Sequence, residues 1–74
     1  MREKIIKIIE KHAARPVHEH STFEALEMDS LEFLDTLAEI EGELGVPQTP
    51  DAAIAKMKTV ADVADYFMGK LACA

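Results

Sequence analysis

Asp29-Ser30-Leu31-Glu32-Phe33-Leu34-Asp35-Thr36-Leu37-Ala38-Glu39-Ile40-Glu41-Gly42-Glu43-Leu44 is a long amphipathic stretch in the middle of the chain. At 100° per residue, Phe33, Leu37, Ile40 and Leu44 share one face, with Leu34 at its edge. Leu31 and Ala38 fall on a shoulder beside that stripe, and Glu32, Asp35, Glu39 and Glu43 lie beyond the shoulder. Asp29 is a good N-cap, and Glu32 completes a capping-box-like pair with it. Gly45 is the expected residue just past the helix end, and Pro47 and Pro50 prevent continuation. The stretch reads as a helix from about Ser30 to Leu44. One of its faces packs into a core, and its acid-bordered apolar shoulder suits docking.

The residues before this helix give a second helix and a long loop. Over residues 2–14, Ile5, Ile6, Ile8, Ile9 and Ala13 fall on one side, with Lys4, Lys7, Glu10 and Lys11 on the other. Isoleucine is a modest helix former, so packing must hold this helix. Pro16 ends it by excluding Arg15 from the helical conformation. His12 sits in the apolar stripe near the helix end, where a packed, hydrogen-bonded or capping histidine is the favoured reading over a ligand or pH sensor. Residues 15–29 form a loop, pinned by Val17 and Phe23. Ser21-Thr22-Phe23-Glu24 has capping-box spacing, so one helical turn is expected over 22–26. His18-Glu19-His20 lacks the spacing of a helical zinc motif, and no metal site is expected.

Past Gly45, residues 51–57 suggest a short helix with Ile54 and Met57 turned inward. Thr59 is the expected N-cap of the last helix, with Asp62 at its third position. Val60, Val63, Ala64, Phe67 and Leu71 form the buried face of that helix, and Asp62, Asp65 and Gly69 point out. Nothing alternates with period two for long enough to make a strand. The expected fold is all-α: a small four-helix bundle of three main helices and one short one, with residues 1–74 as a single domain.

Composition narrows the function classes. A hydrophobic content of 49% is too high for a disordered chain. The single cysteine, Cys73, reads as an incidental thiol and permits neither an internal disulfide nor a cysteine zinc site. No apolar run approaches a membrane span and no secretory signal opens the chain, so a cytoplasmic location is expected. The formal net charge of −6 is concentrated. Residues 16–55 hold ten acidic residues and no Lys or Arg, while the flanking segments are net basic. Such a block repels nucleic acid and anionic membrane and attracts basic protein surfaces.

The chemistry available is narrow. Ser21 and Ser30 are the only serines, and neither has a His-Asp arrangement suggested beside it. The acids sit on a solvated face, and three glycines make no phosphate-binding loop. No enzyme is expected. Ser30, the first residue inside its helix, is placed where unpaired N–H groups and the positive dipole end favour a phosphate ester. It is equally compatible with an unmodified first turn.

Phe23-x-x-Leu26-x-x-Asp29-Ser30-Leu31, followed by an acidic helix, resembles the core of the acyl carrier proteins, and the helix order resembles that family across almost the whole chain. The resemblance implies that Ser30 receives 4′-phosphopantetheine from coenzyme A through a phosphopantetheinyl transferase. The terminal thiol then carries acyl groups as thioesters for fatty acid, polyketide or related biosynthesis. It implies that Asp29 helps the transferase position its metal ion. Leu31, Glu32, Asp35, Ala38 and Glu41 match positions that dock basic patches on acyl-loading and acyl-processing enzymes, although Glu41 lies nearer the core edge than the other four. Phe33, Leu37, Ile40, Ile54 and Met57 would line an acyl pocket. A free-standing monomer is expected.

Two departures from the family pattern bear on cargo. Glu27 stands where the loop usually carries glycine, and Gly45-Val46-Pro47-Gln48-Thr49-Pro50 replaces the usual Gly-Ile-x-Ile-like stretch. With an alanine-rich third helix, these weigh against a deep fatty-acyl pocket and for a specialised carrier of a short, unusual or aminoacyl group. The rival readings are an aminoacyl or peptidyl carrier and, from a different class, an unmodified helical interaction module using Leu31 and Ala38.

Overall fold

In the computed structural model, which describes residues 2–73, the described residues form four helices and no strand. They are α1 (Arg2–His12), α2 (Ser30–Leu44), α3 (Asp51–Ile54) and α4 (Val60–Cys73). The side chain of Cys73 lies outside what is described. The helix α1 packs against both α2 and α4.

The periodicities place the core. The apolar stripe of α1 buries Ile5, Ile8 and Ile9, and that of α4 buries Val60, Val63, Ala64 and Phe67. From α2 come Leu37 and Ile40, together with Thr36, which is buried and donates its hydroxyl to the Glu32 carbonyl at 2.8 Å. Phe33 and Leu44 pack against this core only partly buried, and Leu34, expected at its edge, is 46% exposed. The loop contributes Phe23, Leu26 and Met28.

The helix ends follow local chemistry. Residues 13 and 14 were expected in α1, but it closes at His12, with a last bond from the Ala13 N–H to the Ile9 carbonyl at 3.0 Å. Pro16 has no N–H to return to the His12 carbonyl, so the final turn cannot continue. The α2 helix ends in Gly45 at φ 69°, where the N–H groups of Gly45 and Val46 both reach the Glu41 carbonyl. The helix α3 is one turn, shorter than the 51–57 expected, and Met57 is nevertheless buried. In the loop, Thr22 caps the short turn through a 3.0 Å bond from the Ala25 N–H. Ser21 instead accepts from the His18 N–H.

Loop and α4 are sewn together. Thr22 and Thr59 form an isolated antiparallel bridge, and the Phe23 N–H donates to the Lys58 carbonyl at 3.2 Å. The first two N–H groups of α4, from Val60 and Ala61, donate to the carbonyls of Ser21 and Glu19 at 2.9 and 2.7 Å. Asp62 and Thr59 complete a reciprocal capping box: Asp62 N–H to Thr59 Oγ1 at 3.2 Å, and Thr59 N–H to Asp62 Oδ2 at 3.0 Å. Arg2 adds a clamp, pairing with Glu19 of the loop and with Asp65 of α4.

Candidate functional site: the amino end of the second helix

The amino end of α2 contrasts with that of α4. Asp29 caps it, with Oδ1 accepting from the Glu32 N–H at 2.8 Å, and the Phe33 N–H closes the first turn on the Asp29 carbonyl at 2.9 Å. No acceptor among the described residues meets the N–H groups of Ser30 and Leu31. In α4 the corresponding two groups are taken by loop carbonyls. Ser30 is exposed at this open end, where two unpaired donors and the positive dipole end coincide.

Beside Ser30 lies a small cavity of about 180 Å³ lined by Phe23, Met28, Asp29, Ser30, Phe33 and Met57. Phe23 and Phe33 meet edge to face across a centroid distance of 4.7 Å, which fixes one wall. Of the residues expected to line an acyl pocket, Phe33 and Met57 border this cavity. Leu37 and Ile40 are closed within the core, and Ile54 packs against the core without reaching this cavity. Phe23 and Met28 belong to the cavity and were not anticipated; their apolar character in an otherwise polar loop was the available signal. A groove of about 520 Å³ beside α3 and α4 shares only Met57 with the Ser30 cavity.

The residues expected to dock partners divide into three groups. Leu31, 74% exposed, lies open with Asp35 and Ala38 along α2. Glu32 is half-exposed and faces His12, whose Nδ1 lies 3.4 Å from Glu32 Oε1. Glu41 is turned inward: its Oε2 accepts from the Thr49 N–H at 2.6 Å and from the Thr49 hydroxyl at 2.7 Å. Thr49 is buried, so Glu41 pins the 45–50 loop. Glu39 is held below the usual carboxylate range by hydrogen bonds from Lys11 first and His12 second. The His12 contacts needed tertiary packing to appear. No group of His, Cys, Asp and Glu suited to a metal ion occurs among the described residues, and Glu19 of the His18-Glu19-His20 run pairs with Arg2.

Comparison with known proteins gives the chain a family. A family model described as the phosphopantetheine attachment site matches residues 3–67. An acyl carrier protein of Rickettsia bellii (strain OSU 85-389) is 39% identical over 69 residues, covering 88% of this chain and 84% of the relative. An acyl carrier protein of Rickettsia bellii (strain RML369-C) is 38% identical over 69 residues, covering 88% of this chain and 79% of the relative. With these matches and an all-helical fold, the chain belongs to the acyl carrier proteins, a family of carriers whose prosthetic group is 4′-phosphopantetheine.

Proposed function

We propose that Ser30 is the attachment point and that the chain delivers acyl cargo to partner enzymes without itself catalysing a reaction. The open amino end of α2 carries this reading: an exposed hydroxyl beside two N–H groups without acceptors. These residues fit a phosphodiester, because helix N-termini accommodate anionic phosphate oxygens. When bound, 4′-phosphopantetheine supplies a thiol on a long arm, where acyl groups are held as thioesters. The chain's own residues hold and present. Asp29 fixes the first turn through Oδ1. In the reading it also faces the metal ion of the phosphopantetheinyl transferase. Leu31, Asp35 and Ala38, with Glu32 beside them, offer an apolar shoulder and acids to a partner's basic patch.

The departures from the family pattern at Glu27 and over residues 45–50 favour a short, unusual or aminoacyl cargo. Ligand clefts generally measure about 300–1,000 Å³, and the cavity at Ser30, at about 180 Å³, falls below that range. Leu37 and Ile40 are buried in the core and do not line it, and a further opening of about 390 Å³ shares Phe23 and Met57 with it. The reading places the carrier in the cytoplasm as a monomer. Among the described residues, no helix is long and apolar enough to cross a membrane.

The test compares Ser30→Ala with Ser21→Ala after incubation with transferase, coenzyme A and magnesium. Ser21→Ala is expected to take up the arm and Ser30→Ala to take up none, with the helical circular dichroism of both intact. Modification of Ser30→Ala would move the attachment point elsewhere.

A further inference from the structure

The helix α1 brings its own charges to the acids of α2. Lys11 Nζ pairs with Glu39 Oε2, and His12 Nε2 lies 2.9 Å from Glu39 Oε1. On its other side, His12 Nδ1 lies 3.4 Å from Glu32 Oε1. Further along, Lys4 pairs with Glu43. Arg15 does not join this set, because it pairs with Glu27. The four acids beyond the shoulder are therefore unequal. Glu39 is held by two groups and Glu43 by one. Asp35 has no ion-pair partner among the described residues. Glu32 lies between these cases, 3.4 Å from the imidazole at an ion-pair distance beyond the ordinary hydrogen-bond range, with 42% of its side chain exposed.

We propose that His12 is a specificity-determining residue of the docking face, an internal cation that competes with a partner's basic side chains for Glu32. The inference rests on the docking role given above to Leu31, Glu32, Asp35 and Ala38. Histidine is the side chain whose charge ordinarily changes between pH 5 and 8. The groups facing it here are Glu32 and Glu39 from α2, with Lys11 beside it on α1. Charged, His12 draws Glu32 towards α1 and cancels part of the negative potential that steers a basic partner. Neutral, it keeps one ring N–H for Glu39 and releases Glu32 to the partner. The imidazole is only 20% exposed, so a docking protein meets its effect through Glu32 and not by touching it. The partner favoured by this arrangement places its cations against Asp35 and Glu32, not against Glu39.

The test measures kcat/KM for phosphopantetheine transfer to the wild type and to His12→Gln at low salt, from pH 6 to pH 8. Glutamine keeps a donor for Glu39 and never carries charge. The ratio of the two proteins removes the transferase's own pH dependence. His12→Gln is expected to be about three-fold better at pH 6, within the range of exposed ion pairs, and equal to the wild type at pH 8. In a Glu32→Gln background the difference at pH 6 should shrink, leaving only what His12 exerts through Glu39 and the overall potential. A ratio that does not change with pH overturns the inference while leaving the reading of Ser30 intact. Failure of the wild type to be modified at any pH, beside a control carrier that is modified, overturns both.

Discussion

Glu27 holds φ at 58°, a left-handed conformation that side chains other than glycine rarely adopt. It stands two residues before Asp29, where the resemblance leads one to expect glycine. In the sequence this position shows only as a departure from the pattern. The structure shows that the backbone keeps the turn a glycine would favour, with the Met28 N–H returning to the Phe23 carbonyl at 3.1 Å. A left-handed L-residue costs roughly 1–2 kcal/mol, and glycine's extra entropy returns about 0.5–1 kcal/mol of that. The exposed pair of Glu27 with Arg15 contributes little. Glu27→Gly is therefore expected to leave stability unchanged or raise it by up to about 1 kcal/mol in urea denaturation. A loss greater than that would mean the Arg15 contact outweighs the strain. While the role proposed for Ser30 came from the resemblance, its place as the first residue of α2 was legible because the signals are local, a cap residue before it and an apolar stripe after it. The cavity beside it was less so, because Phe23 and Met28 reach it from a loop with no period to read.

At the scale of the element, α2 and α4 were legible to within a residue or two because each combines a 3.6-residue stripe with a cap. In α4, Asp62 is held below the usual Asp range by the backbone N–H of Lys58, then that of Thr59. A lowered folded-state value means a contribution present above the ordinary Asp pKa of about 3.9 and lost as pH falls through the folded value. Asp62→Ala should cost about 1 kcal/mol at pH 7. The gap to the wild type should begin to close as pH falls past about 3.9 and vanish only below the lowered folded-state value, and a gap that does not narrow on acidification would assign the loss to something other than the ionised cap. Glu41 was read through the resemblance as a docking residue, since its internal partner Thr49 lies eight positions away, past Gly45 and Pro47. Bonds to an ionised group are worth about 1.5–3 kcal/mol when buried, and Glu41 is only half-buried. Glu41→Ala is expected to cost about 1–2 kcal/mol and to speed amide exchange at Thr49 and across α3. Unchanged protection of the Thr49 amide would leave the 45–50 loop held by its other contacts.

Across the whole molecule, the acidic middle of the chain reaches the surface both on the 16–29 loop and along α2, and α1 neutralises part of the α2 share. The block was plain in the sequence; its division between held and open acids was not, since Lys4, Lys11 and His12 meet α2 only after α1 packs on it. Reversing Glu32 and Asp35 together to lysine should slow transferase modification by about tenfold or more at low salt, through lost steering. The deficit should shrink as salt rises, because exposed charges are screened within about 10 Å at 0.1 M ionic strength. A deficit independent of salt would point to lost shape instead of lost charge. The central claim, that an open helix end presents Ser30 for phosphopantetheine, is tested most directly by the intact mass of the wild-type protein. It would be measured before and after incubation with coenzyme A, magnesium and a broad-specificity transferase. One addition of phosphopantetheine mass is the predicted result. An unchanged mass, from folded protein in a tube where a known carrier is fully modified, would contradict it.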